Sequence, residues 1–230
     1  MKRIKKYRLF FVLLCITIIL ICSPIYVTRF KSDRNFIVGN EILLNLNLSN
    51  KSKKENIEKI TRYVVQHFKT PLKNLTKEKT FHEMISDGYG FCDQQASTLL
   101  ALANYAGIRG RLVFLYGEDS ISHHSVAEIY IDKWYMVDPF FEVKSGSSFL
   151  LPSIQEVIVN NKKLNQFHYD TSLIRQDQYY NLFTPKYPYK IIHENYVKYS
   201  KTEQIYQAYL LLWMKIVGEK GIQLIKKHSK

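Results

Sequence analysis

Cys92, the pair His123-His124 and Asp138 are the residues of this chain whose types and spacing could do chemistry together. Cys92 closes the stretch Gly88-Tyr89-Gly90-Phe91-Cys92, whose glycines let the backbone turn sharply just before the thiol. From there Ala96, Leu99, Leu100, Ala103 and Ala106 recur at three- and four-residue steps, with Gly107 as the stop. That period is helical. Cys92 is therefore expected in the first turn of a helix, where unpaired backbone N–H groups and the helix dipole favour a thiolate. His124 opens the run His-Ser-Val-Ala-Glu-Ile-Tyr-Ile, and Asp138 ends the run Trp-Tyr-Met-Val-Asp. A hairpin sets such strand ends side by side, so the carboxylate could hold an imidazole by a hydrogen bond. A nucleophilic thiol, a base that takes and returns its proton, and a group that orients the base are what acyl chemistry requires.

The elements that must position these residues come from the flanking pattern. Ser52-Lys-Lys-Glu55 reads as a capping box opening a helix, with Ile57, Ile60, Val64 and Phe68 on one face and Pro71 closing it. Residues 80–87 read as a further short turn of helix. Arg111–Tyr116, Ser125–Ile131 and Lys133–Asp138 read as strands. Helices followed by strands predict an α+β domain with an antiparallel sheet packed on the Cys92 helix. Beyond it, Gly146-Ser-Ser is a loop and Ser153-Ile-Gln-Glu156 a second capping box. Residues 160–200 are rich in Tyr, Asn and Lys without a clear period. A helix returns over 202–227, with Ile205, Tyr209, Leu212, Trp213 and Ile216 on one side. Its apolar run, Leu210–Met214, is too short for a membrane span and reads as a core-packing helix.

The stretch Gly-Tyr-Gly-Phe-Cys-Asp-Gln-Gln-Ala, followed by Leu-Leu-Ala-Leu-Ala-Asn-Tyr-Ala-Gly-Ile-Arg-Gly-Arg-Leu-Val, resembles the cysteine motif of the transglutaminase-like superfamily. His-Ser-Val-Ala-Glu-Ile-Tyr-Ile-Asp-Lys-Trp-Tyr-Met-Val-Asp-Pro resembles that family's histidine and aspartate motifs in their expected order. The resemblance spans about residues 55–142, in the manner of a bacterial-type, membrane-anchored member. It implies a papain-like core and a catalytic triad with Cys92 as nucleophile, His124 as base and Asp138 as orienter. It also implies acyl transfer through a thioester, resolved by water in a hydrolase or by an amine in a transferase. The superfamily includes transglutaminases, peptidases, peptide deglycosylating enzymes and members without activity, so the fold alone does not choose the reaction.

Strand geometry leaves two registers open. If Asp132-Lys133 is a two-residue turn, Asp138 falls opposite Ala127 and shares a face with His123. If the turn is Ile131-Asp132-Lys133, Tyr130 pairs with Trp134, and Asp138 faces Val126 on His124's side. The glycine that family members often carry in this turn is missing. The four-residue step from His124 to Glu128 matches the family pattern and favours His124, with His123 as the rival.

Composition bounds the rest. A chain of 230 residues with 46% hydrophobic and 23% charged residues, 17 tyrosines and 13 phenylalanines is built to fold. Lys2, Arg3, Lys5, Lys6 and Arg8 carry five of the net thirteen positive charges, and the remaining +8 forms no Arg-rich stripe. Nucleic-acid binding is therefore weakly supported, and attraction to anionic lipid or an anionic envelope polymer explains the charge as well. Residues 9–22 are almost wholly apolar and no small-residue cleavage site follows. A basic flank and transmembrane anchor over 1–27 is expected, with a cleaved signal peptide as the rival; the anchor leaves the N-terminus cytoplasmic and the body outside, in the periplasm or at the cell exterior. A linker over 28–50, the core over 51–145 and an extension over 146–230 complete the expected domain order. Of the three cysteines, Cys15 and Cys22 lie in the leader, which leaves Cys92 without a disulfide partner. No metal-ligand spacing or phosphate-cradling loop is present, so no cofactor is expected. The expected partner is a protein or peptide substrate. The alternative reading is a non-catalytic binding or assembly module of the cell envelope that keeps the fold.

Overall fold

The computed structural model describes residues 14–15, 17–18, 31–48, 52–69, 80–183, 189–195, 209, 211–216 and 218. It divides into two compact units, one made of Met1–Asn40 with Lys198–Lys230 and the other of Glu41–Val197. Of the expected anchor, only Leu14, Cys15, Thr17 and Ile18 are described, all helical. The rest of 1–27 lies outside the described residues. Among the described residues, no helix is long and apolar enough to cross a membrane.

Helix α1 (Lys31–Asn45) occupies the stretch read as a linker. Val38 and Ile42 stand one helical turn apart, and the Asn40 side chain donates to the Phe36 carbonyl at 2.8 Å. In the smaller unit Ile37 is buried together with Trp213 and Met214. Residues 209, 211–216 and 218 are helical, and the rest of the expected 202–227 helix lies outside the described residues. Its buried face differs from the expected one: Trp213 and Met214 are buried, whereas Leu212 and Ile216 are exposed.

The larger unit opens with α2 (Lys53–His67), where Ser52 Oγ accepts from Glu55 N at 3.2 Å. The apolar stripe Ile57, Ile60 and Val64 is fully buried. Helix α3 (Phe81–Asp87) has a complete capping box, Thr80 with Glu83, and ends on Gly88 in the left-handed region at φ 66°. Helix α4 (Cys92–Tyr105) buries Ala96, Leu99, Leu100, Leu102 and Ala103. Gly107, at φ 71°, follows its end.

Strands β1 (Arg109–Tyr116), β2 (Ser122–Tyr130) and β3 (Trp134–Val137) follow as an antiparallel meander. Beyond them run β4 (Lys144–Ser145), β5 (Leu151–Pro152), α5 (Ile154–Val159), a 3₁₀ turn (Asn161–Gln166), β6 (Phe167–His168), α6 (Gln176–Asn181) and β7 (Tyr189–Asn195). The main sheet has the order β5-β3-β2-β1-β7, with every neighbouring pair antiparallel. Strands β4 and β6 pair separately.

Strand β2 is buried from His124 through Ile129, because both faces of the sheet are covered. Helix α4 packs on one face of β1 and β2. Gly110 permits that approach, since a Cβ there would collide with Leu100 Cδ2. On the other face Val113, Leu115, Val126 and Met136 join Ile154, Val157, Leu164, Tyr179 and Phe183 in one core. The sheet and this core thus draw on residues well past 145, and the compact unit is wider than the 51–145 span expected for the core. The reason is physical: a sheet face this apolar needs the later segments to exclude water.

Candidate active site

Cys92 is the first residue of α4, and Phe91 before it is extended at φ −79°, ψ −178°. Phe91 has no side-chain acceptor, so the helix start is held from the other direction. Phe91 N donates to Gln94 Oε1 at 3.0 Å, and Gln95 Nε2 donates to the Gly90 carbonyl at 2.9 Å. Gly90 N donates to the Lys69 carbonyl and Lys69 N to the Gly88 carbonyl, at 3.2 and 2.9 Å, which ties this approach to the end of α2. Cys92 is half-buried and forms no disulfide.

His124 stands near the start of β2, on the face that carries Val126 and Glu128. Trp134 pairs with Tyr130, so the β2–β3 turn is Ile131-Asp132-Lys133, closed by Ile131 N donating to the Lys133 carbonyl at 3.1 Å. The three-residue turn sets Asp138 on His124's side. His124 Nε2 and Asp138 Oδ2 are 2.7 Å apart, with both side chains essentially without solvent contact. Asp138 is the acceptor, so Nε2 donates to it, and Cys92 is a second polar group that interacts with this ring.

Burial opposes the imidazolium and is the largest single influence on His124. The Asp138 charge and hydrogen bond, joined by the hydrogen bond and charge of Cys92, together outweigh it and push the His124 pKa up to about 10. Phe141 and Phe140 lie beside the ring, with centroids 4.6 and 6.2 Å away. They keep water from the ion pair, which strengthens it. His123 points away and pairs with Asp119 at 2.9 Å, both exposed. Of the two histidines, His124 is the one that meets the Asp138 carboxylate.

Sequence reasoning missed two further contacts of Asp138. Phe141 N donates to Oδ1 at 3.3 Å, and Tyr179 OH donates to Oδ2 at 3.0 Å. The first was foreshadowed by Asp-Pro, a turn former whose carboxylate reaches a later N–H. Tyr179 had no signal, since it stands among aromatics without periodicity. Glu128, the other buried carboxylate of the face, does not join the site. Its Oε2 accepts from Arg111 Nε and Nη2 at 2.8 and 2.6 Å, and its Oε1 from Ile154 N at 2.9 Å. Among the described residues, no group of three His, Cys, Asp or Glu side chains could hold a metal ion.

A thiol, an imidazole and a carboxylate in this sequence can pass a proton from sulfur to nitrogen and on to a leaving group. The sequence model of the Transglutaminase-like superfamily matches residues 43–139, the span that holds all three. Among solved structures, that of a TGase is similar at 15% identity over 46% of this chain and 31% of its own, with a TM-score of 0.37. Rad4–Rad23 bound to a 6-4 photoproduct UV lesion is similar at 12% identity over 100% of this chain and 59% of its own, with a TM-score of 0.33. The chain thus spans less than a third of the first structure's length and under two thirds of the second's. Comparison with curated proteins gives no match. With mixed helices and an antiparallel sheet carrying the matched motifs, residues 43–139 belong to the transglutaminase-like superfamily.

Proposed function

We propose that this chain is a cysteine acyltransferase or amidohydrolase that works on protein or peptide amides through a thioester on Cys92. The observation that carries the reading is His124, buried between Cys92 and Asp138 with its proton-bearing Nε2 on the carboxylate. Cys92 Sγ attacks the amide carbonyl as a thiolate paired with the His124 imidazolium, whose Nδ1 holds the proton that the thiol has given up. Backbone N–H groups of the first turn of α4, that of Cys92 among them, receive the oxyanion. The tetrahedral intermediate collapses as the imidazolium protonates the departing amine, which leaves an acyl thioester and neutral His124. Water or a second amine then gives its proton to His124 and displaces the thiolate, yielding an acid or a new amide.

In the same reading the enzyme is a single-pass membrane protein whose body works outside the cytoplasm. The basic residues 2–8 and the apolar run 9–22 support that placement, and the positive balance suits a surface of anionic lipid or envelope polymer. The test incubates the full chain in detergent micelles with glutamine-containing peptides, with and without a primary amine. Mass spectrometry should find an acyl group on Cys92, together with ammonia release, both absent in His124→Ala. A chain that leaves Cys92 unmodified across such a peptide panel, while folded, would be a binding or assembly module instead.

A further inference from the structure

We infer that Tyr179 is a positioning residue of this site, holding Asp138 and dividing its charge so that His124 can release as well as accept a proton. The inference rests on the proposed function and adds to it a residue that lies outside the 43–139 span. Tyr179 belongs to α6 and is fully buried. Its hydroxyl stands 3.0 Å from Asp138 Oδ2, the oxygen that also takes the His124 Nε2–H at 2.7 Å. One carboxylate oxygen therefore serves two donors, and the other is held by Phe141 N.

The geometry around the ring fixes this arrangement. Tyr179 stacks on Tyr169 with centroids 5.1 Å apart and meets Phe183 at 5.2 Å. It stands edge-on to Phe141 at 90° and to His124 at 64°. A ring clamped on these sides delivers its hydroxyl to one place. The titratable groups facing His124 and Tyr179 among the described residues are Cys92 from α4, Asp138 after β3, and Tyr169 before α6. Burial, then the Asp138 charge and hydrogen bond, with Tyr169 adding to them, raise the Tyr179 pKa well above the ordinary phenol value. It stays a donor throughout the working pH range.

The chemical need is evident from the pair itself. A lone buried carboxylate against a buried imidazole would hold the proton too firmly for return to a leaving amine. A second donor on the same oxygen weakens that grip. Removing the hydroxyl should therefore tighten the Asp138–His124 hydrogen bond, which appears as a downfield movement of the His124 Nε2 proton resonance.

The experiment records that resonance at neutral pH in the full chain in detergent micelles, with 15N-labelled histidine, for wild type, Tyr179→Phe and Tyr180→Phe. Tyr180 serves as the control, since its hydroxyl donates to the Leu164 carbonyl at 3.0 Å, away from the site. The expected result is a downfield shift in Tyr179→Phe and none in Tyr180→Phe. An unmoved resonance in folded Tyr179→Phe, even with a lowered urea midpoint, would make Tyr179 structural only and overturn the inference. Iodoacetamide labelling of Cys92 in His124→Ala separates this from the larger reading. If that substitution leaves the labelling rate unchanged, the proposed function fails whatever Tyr179 does.

Discussion

His124 and Asp138 share one face of the β2–β3 hairpin because the turn joining the strands holds three residues, with Tyr130 opposite Trp134. One residue fewer would have placed the carboxylate on the face of His123. Side chains in a strand alternate, so the turn length alone decides which histidine gains the carboxylate. The consequence is a 2.7 Å contact between two side chains that water does not reach.

Asp138→Asn tests the charge of this pair while keeping its shape. The neutral amide leaves burial as the main influence on His124, so the imidazolium is no longer favoured and its pKa falls from about 10. Labelling of Cys92 by iodoacetamide at pH 7 should slow by about tenfold or more, matching the roughly 1.5–3 kcal/mol that a charged hydrogen bond contributes. An unchanged rate would mean that the carboxylate does not act through the histidine.

The same pair should make stability depend on pH in the alkaline range. Folding raises the His124 pKa from 6.5 to about 10, so the folded state binds the proton more tightly than the unfolded chain. The stabilisation is fully present below pH 6.5 and is lost as pH rises through about 10. Urea midpoints of wild type and His124→Gln, measured from pH 5 to 10.5, should differ most at the acid end and converge toward the alkaline end. A gap that widens with rising pH would contradict the assignment.

Glu128 should prove structural. It is buried, and it joins Arg111 on β1 to the first residue of α5. Glu128→Ala leaves the largely buried guanidinium without its partner, which costs about 3–5 kcal/mol in such settings. Urea denaturation should register that loss, whereas Cys92 labelling in the folded fraction should not change. A selective loss of labelling without loss of stability would place Glu128 in the site after all.

Gly110→Ala examines the seat of the Cys92 helix. The new methyl would collide with Leu100 of α4 and press on Ile129 of β2, and overpacking of this kind costs about 1–3 kcal/mol. Thermal unfolding is the appropriate measure. An unaltered midpoint would show that α4 can move off the sheet without penalty.

The front of the domain was legible because its signals are local. Ser52 with Glu55 and the apolar steps of α4 each state their structure within a few residues. The choice between His123 and His124 was legible as a geometric alternative, and the turn length resolved it. Tyr179 was not, because its role depends on meeting Asp138 across 41 positions of chain, and no periodicity encodes such a contact. The same holds for β7: its pairing with β1 is set by an open sheet edge rather than by its own alternation. Segment 31–45 misled for another reason. Its apolar residues follow a helical turn, not the alternation of a strand.

The central claim is that His124, and not His123, governs the reactivity of Cys92. The most direct test is the rate of Cys92 labelling by iodoacetamide at pH 7, resolved by peptide mass spectrometry, in wild type, His123→Ala and His124→Ala. The account predicts an unchanged rate in His123→Ala and a fall of about a hundredfold in His124→Ala, within the usual contribution of a positioned base. Equal rates in all three proteins would contradict it.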